Sequence, residues 1–159
     1  SNGNGSLMRI LPLAFTAAGP SDIEAVSSIT HAHATSVEAC LLYVAIARRL
    51  LKGQQLPEIL LGLETSTTYA RLQTLADLTE DDIRSTGYVV DTLEAALWCL
   101  LTSTSYPETV LKAVNLGDDT DTVAAVAGGL AGIIYGLEGI PDNWLAQLRN
   151  KELLESCLF

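Results

Sequence analysis

The stretch from Asp119 to Leu137 constrains this chain more than any other. After its first turn it is built wholly of small and aliphatic residues, glycine and one tyrosine, with no charge. Such a run predicts a buried helix, yet it contains Gly128, Gly129, Gly132 and Gly136. Each glycine costs about 1 kcal/mol relative to alanine inside a helix, so packing has to compensate. Ala124, Gly128, Gly132 and Gly136 fall at successive i, i+4 positions and draw a smooth stripe on which a neighbouring backbone can lie close. The spacing predicts a central helix surrounded by others.

The remaining punctuation is also helical. Thr35 with Glu38 three residues on is a capping-box pattern. The apolar positions Val37, Cys40, Leu41, Val44 and Leu51 follow at helical spacing, and Arg48, Arg49, Lys52 and Gly53 mark a C-terminus. Similar starts are predicted at Ser21 with Glu24 after Pro20, at Thr79 with its acidic first turn, and at Ser105 with Glu108 around Pro107. Tyr88 to Leu101 reads as an apolar helix. Sustained strand-type alternation is absent and no heptad persists, so the expected fold class is all-α, a compact multi-helix bundle around the Gly/Ala-rich helix.

With 159 residues, 48% of them hydrophobic, the chain has enough material for one domain and too little for two. Its formal charge of -10 opposes binding to nucleic acid or to an anionic membrane. The apolar run Val123 to Leu137 falls short of the roughly 20 residues a membrane span requires. Cys40, Cys99 and Cys157 show neither zinc spacing nor a disulfide framework, which fits the cytoplasm. Met8 is the only methionine and seven residues precede it, so the chain is expected to be a piece of a longer protein.

Three segments carry candidate chemistry. Gly117-Asp118-Asp119-Thr120-Asp121-Thr122 stands at the entrance to the Gly/Ala-rich helix. Asp and Thr there serve as caps, but three acids exceed what one cap uses and repel one another unless a cation neutralises them. Oxygen-only donors select a hard ion such as magnesium, manganese or calcium. The residues alone leave cap and cation readings open. The second segment, Ser1-Asn2-Gly3-Asn4-Gly5-Ser6, is turn chemistry leading into a helix near Leu7, a place where backbone amides can cradle phosphate or a tag can trail. In the third, His31 and His33 sit at i, i+2, which does not put them on one helix face, so a shared metal is not expected. Trp98 and Trp144 read as packing residues.

Taken in order, Gly3-Asn4-Gly5-Ser6-Leu7-Met8-Arg9, Thr30-His31-Ala32-His33, the run Gly87 to Trp98 and Gly117 to Thr122 resemble the ADP-ribosylglycohydrolases, a family that includes the dinitrogenase reductase activating glycohydrolase. The resemblance extends from Asn2 to about Leu148. It implies an all-α fold holding two magnesium or manganese ions that cleaves the N- or O-glycosidic bond between ADP-ribose and a protein side chain or small acceptor. It places metal ligands on Asp119, Asp121 and Thr122, with Asp121 shared between the ions. The loop that lies against ADP-ribose falls on Gly3, Asn4 and Gly5, with Ser1 and Asn2 on its leading side, and a substrate contact falls on His31.

The sequence departs from the family's pattern in one respect. The family's other ligands, a Thr-Asp-Asp motif and an acidic residue near the start, lie upstream of the Gly-Asn-Gly loop and have no counterpart here; Thr79-Glu80-Asp81-Asp82 is close in composition but wrong in order. The chain is therefore expected to be the C-terminal portion of the fold and a partial enzyme, completed by the missing N-terminal part, with an apolar face where that part packs. The rival readings are a non-catalytic ADP-ribose-binding module and a plain helical interaction domain.

Overall fold

A computed structural model describes residues 2–157. Helices dominate it: α1 (Leu7–Ile10), α2 (Pro20–Ser28), α3 (Ala34–Leu51), α4 (Leu56–Leu61), α5 (Val89–Leu101), α6 (Tyr106–Asn115), α7 (Thr120–Tyr135), α8 (Asp142–Gln147) and α9 (Lys151–Ser156). Segments of 3-10 helix follow α1 (Leu11–Phe15) and occupy Thr67–Asp77 and Glu80–Asp82. The only β pairing among the described residues is an isolated antiparallel bridge between Gly3 and Tyr88. The all-α expectation holds, and no described helix is long and apolar enough to cross a membrane.

The core is shared by α3, α5 and α7. From Thr92 to Leu100 every residue of α5 is buried, so this helix has no solvent face. Buried polar tips find backbone partners: the Tyr43 hydroxyl donates to the Val126 carbonyl (2.7 Å), Tyr69 to Thr35 (2.7 Å) and the Trp98 indole to Leu78 (3.0 Å). Each bond ties one element to another at little net cost, because a buried donor left alone forfeits about 1–3 kcal/mol. Arg48 does the same at the surface, donating to the carbonyls of Leu13, Thr16 and Ala18 and so tying the segment after α1 to α3.

Several helix ends differ from expectation. Helix α3 is capped by His33, whose Nδ1 accepts the Thr35 amide (3.2 Å), and Glu38 turns away to accept from the amide and hydroxyl of Ser66. The Thr35–Glu38 box thus loses to a long-range partner. Helix α2 is capped two residues earlier than the Ser21–Glu24 pattern indicates: the Asp22 carboxylate accepts the Gly19 amide (2.7 Å). Thr79 opens only a single 3-10 turn, closed by Asp82. Ser105 caps α6 as its sequence indicates.

The glycine stripe is also displaced. A Cβ at Gly129 would stand 2.7 Å from Leu11 Cδ2 and 2.9 Å from the Tyr43 hydroxyl, and one at Gly128 would stand 3.3 Å from the Tyr106 hydroxyl. At Gly132 and Gly136 nothing lies within 4 Å. Close approach therefore belongs to Gly128 and Gly129, while Gly136, at φ +67°, ends α7 two residues before Leu137.

Candidate functional site

The acids ahead of α7 enter it through a sharp turn. Gly117 and Asp118 both adopt left-handed backbone, at φ +85° and +57°, and the Gly117 carbonyl is held by the Ser85 hydroxyl (2.8 Å). The Asp119 amide donates to the Ser85 carbonyl (3.0 Å). Asp119 occupies the N-cap position of α7 but its side chain caps nothing. Its Oδ2 instead accepts from the Asn4 side-chain amide at 2.6 Å, across 115 positions of sequence.

Asn4 is buried and its orientation is determined by its second partner. The Thr92 hydroxyl donates to the carbonyls of Thr86 (2.9 Å) and Tyr88 (3.2 Å), so toward Asn4, at 2.9 Å, it accepts. Both protons of the Asn4 amide are thereby used, one on Thr92 and one on Asp119. The turn is pinned from outside by Asn4 N to Gly87 O (3.2 Å) and Val89 N to Asn2 O (3.0 Å). Asp119 Oδ2 also packs against Gly87, where it would lie at ordinary van der Waals distance, 3.5 Å, from a Cβ.

The other side of the turn meets the histidine. A Cβ at Gly5 would stand 2.9 Å from His31 Cε1, so the ring lies against the glycine backbone. Partial burial of the ring and the nearby guanidinium of Arg9 hold His31 below the ordinary imidazole value. His33 faces away from this contact and caps α3. Thr122 is buried and its hydroxyl reaches Met8 Sδ at 3.7 Å, while Asp121 is exposed in the first turn of α7. His31, Gly5, Asn4 and Asp119 thus form one continuous row, with Thr122 set beside Met8. The Asn2 side-chain oxygen is buried without a hydrogen-bond partner among the described residues, and Ser1 lies outside them.

Electrostatically the row is one-sided: among the described residues no cation pairs with Asp119 or Asp121, and the salt bridge present, Arg71 to Glu94 (3.6 Å), lies elsewhere. Two carboxylates, a hydroxyl and no nitrogen or sulfur donor suit a hard divalent ion. They are an incomplete set, because no group of three or more His, Cys, Asp or Glu side chains among the described residues is placed to hold a metal. A cleft of about 540 Å³ along α6, lined in part by Leu111 and Lys112, contains none of these residues. Thr92, Thr30 and Arg9 fall within the motifs that carry the resemblance, but sequence reasoning gave them no role; their partners are distant in sequence or depend on a turn.

A helical fold with a Gly-Asn-Gly turn bound to the acidic N-terminus of a buried glycine-rich helix defines a class, and the comparisons identify it. The ADP-ribosylglycohydrolase family matches residues 1–158, and the chain belongs to that family. It is 39% identical over 155 residues to an ADP-ribosylarginine hydrolase of Pseudomonas putida (strain GB-1), covering 92% of this chain and 42% of that protein. It is 33% identical over 158 residues to the ADP-ribosyl-[dinitrogen reductase] glycohydrolase of Rhodospirillum rubrum, covering 94% and 51%. A solved structure, an ADP-ribosylglycohydrolase-related protein complex, superposes with a TM-score of 0.83 at 31% identity, covering 98% of this chain and 58% of that one. The chain thus spans about half the length of the relatives it matches.

Proposed function

We propose that this chain carries the C-terminal share of an active site that hydrolyses the glycosidic bond between ADP-ribose and a protein side chain or small conjugate. The observation that carries the reading is the 2.6 Å contact between Asn4 and Asp119. It joins the family's nucleotide-facing turn to its acidic motif in one place, with the carboxylate directed by a partner rather than spent on a helix cap. The relative from Pseudomonas putida is named as a hydrolase of ADP-ribosylarginine and that from Rhodospirillum rubrum as a glycohydrolase of ADP-ribosyl-[dinitrogen reductase], and the proposal extends that substrate class to this chain.

In this reading Asp119, Asp121 and Thr122 hold magnesium or manganese. When bound, the ions supply positive charge that fixes ribose hydroxyls and makes a water more acidic. The chain's own residues do the rest. Asn4 holds Asp119 Oδ2 in one direction; Gly3 and Gly5 bring backbone close to the nucleotide without a side chain in the way; His31 presents a ring edge beside the turn. The donor set being incomplete, the chain acts as a partial enzyme, completed by the part of the fold that its relatives have and this chain does not span. Free cysteines, with Cys40 and Cys99 buried, agree with a cytoplasmic setting.

Calorimetry with manganese tests the metal reading: the chain, alone or with an N-terminal part supplied, should give binding heat that Asp121→Ala abolishes. Absence of heat from the wild-type chain in both formats refutes it. The full-length protein should release ADP-ribose from a modified protein and the isolated chain should not, so unaided turnover by the chain overturns the partial-enzyme reading.

A further inference from the structure

Arg9 stands at the edge of the row and touches everything that positions His31. One terminal nitrogen of its guanidinium donates to the Gly5 carbonyl (3.3 Å), the other to the carbonyls of Val26 (3.0 Å) and Ser27 (3.3 Å) and to the Thr30 hydroxyl oxygen (2.7 Å). Thr30 Oγ1 in turn lies 2.7 Å from His31 Nδ1. The His31 backbone is held by Ser27, its amide donating to the carbonyl that Arg9 also meets (2.8 Å) and its carbonyl accepting from the Ser27 hydroxyl (3.0 Å). The imidazole Nε2 has no partner among the described residues.

The order of donors along this chain of contacts has a chemical consequence. A guanidinium only donates, so one lone pair of Thr30 Oγ1 is taken by Arg9. Bringing an imidazole N–H to the same oxygen would set a second positive dipole beside the cation. Turning the hydroxyl proton toward His31 avoids that, and Arg9 strengthens it as a donor by polarising the O–H bond. Nδ1 then accepts, and the ring proton of the neutral imidazole resides on Nε2.

The geometry points to Arg9 as a positioning residue that acts through Thr30 to hold His31 as its neutral Nε2–H tautomer, presenting a hydrogen-bond donor to a ligand oxygen beside the Gly3–Gly5 turn. The ligand clause rests on the ADP-ribose reading above; the tautomer does not. The chain offers an internal reference, because it has only two histidines. His33 Nδ1 accepts a backbone amide, so His33 must also be the Nε2–H form, for a reason unconnected with Arg9.

Long-range nitrogen–proton correlation spectra of the uniformly nitrogen-15-labelled protein at mildly alkaline pH, with His33→Asn used for assignment, read both tautomers directly. In the wild type, His31 Nδ1 should resonate at the unprotonated position and Nε2 at the protonated one. Thr30→Val, which leaves the bonds from Arg9 to backbone carbonyls intact, and Arg9→Gln should each move His31 toward a tautomer mixture while His33 stays unchanged. A wild-type His31 protonated on Nδ1, or one indifferent to Thr30→Val, overturns the relay. ADP-ribose added to the wild type should shift the Nε2–H signal, and Thr30→Val should weaken binding on the order of tenfold. With the tautomer as stated, an Nε2–H signal indifferent to saturating ADP-ribose overturns the ligand clause alone.

Discussion

The Asn4–Asp119 contact predicts a loss of stability whose size depends on pH. Asn4→Asp is nearly isosteric, but it replaces two donated protons with acceptors: one bond to Thr92 at 2.9 Å and one to the Asp119 carboxylate at 2.6 Å are lost. The neutral bond contributes about 1 kcal/mol and the charge-assisted one about 1.5–3 kcal/mol. At an effective dielectric of about 20, two full charges about 3 Å apart also repel by roughly 5 kcal/mol. The fold relieves part of this by letting the two carboxyls share one proton at a pH above that at which a lone carboxyl takes one. The expected cost near neutral pH is about 3–5 kcal/mol, or a fall in Tm of about 10 °C for a chain of this size. In the window where the folded pair holds a proton and the unfolded chain does not, the variant gains stability as pH falls. Asn4→Ala loses the same two bonds without gaining a charge, so its cost should be about 3 kcal/mol with no such recovery. Urea denaturation of the three proteins, followed by tryptophan fluorescence from about pH 8 to about pH 5, separates the two. If Asn4→Asp and Asn4→Ala run parallel across that range, or if both cost less than about 0.5 kcal/mol, Asn4 does not hold Asp119.

Two further outcomes test the packing. Gly129→Ala places a Cβ 2.7 Å from Leu11 and 2.9 Å from the Tyr43 hydroxyl that bonds Val126, so it should cost about 1–3 kcal/mol by overpacking. Gly132→Ala enters open space and should gain up to about 1 kcal/mol from helix propensity, so equal midpoints in denaturant would contradict the placement of Leu11 and Tyr43 on α7. Burial raises the Glu94 carboxyl above its ordinary value, against the opposing pull of Arg71 and with a smaller push from Asp91. The folded protein therefore holds that proton more tightly than the unfolded chain, and stability falls as pH rises from the ordinary carboxylate range through the raised value. Glu94→Gln should flatten that decline; stability curves for the two proteins that stay parallel would show that Glu94 titrates normally.

Where the sequence and the fold disagree, a distant partner has outbid a local one. Helix interiors were legible because burial imposes a period: α3, α5 and α7 appear within about two residues of their expected bounds. Ends were less so. Thr35 and Glu38 spell a capping box, but Glu38 finds two donors on Ser66, and an imidazole, a less common cap, takes the vacated amide. The stripe through Gly132 and Gly136 follows from periodicity alone, whereas the actual close approaches depend on where Leu11, Tyr43 and Tyr106 arrive, and no local pattern encodes that. The segments Leu56–Leu61 and Thr67–Asp77 are too short or too tightly wound to show an α-helical period, and they received no assignment from sequence.

The site shows the same division more sharply. The family resemblance, carried by motif order, pointed to Gly3, Asn4, Gly5 and His31, while the crowding of carboxylates by itself singled out the acids before α7. What the sequence did not contain is the wiring. Asn4 meets Asp119 across 115 positions, Thr92 orients Asn4 across 88, and Thr122 reaches Met8 across 114. Each of these contacts requires the N-terminal turn to lie against the head of α7, and a single β bridge from Gly3 to Tyr88 with its flanking backbone bonds anchors it there. That anchor sets the register of the turn against α7. A change that frees it, such as Val89→Pro, which removes the amide donated to Asn2 O while placing proline at the first position of α5, where a helix tolerates it, should loosen Asn4 from Asp119 without touching either residue. Manganese binding, if it depends on Asp119 being held in one direction, should then weaken even though every proposed ligand remains.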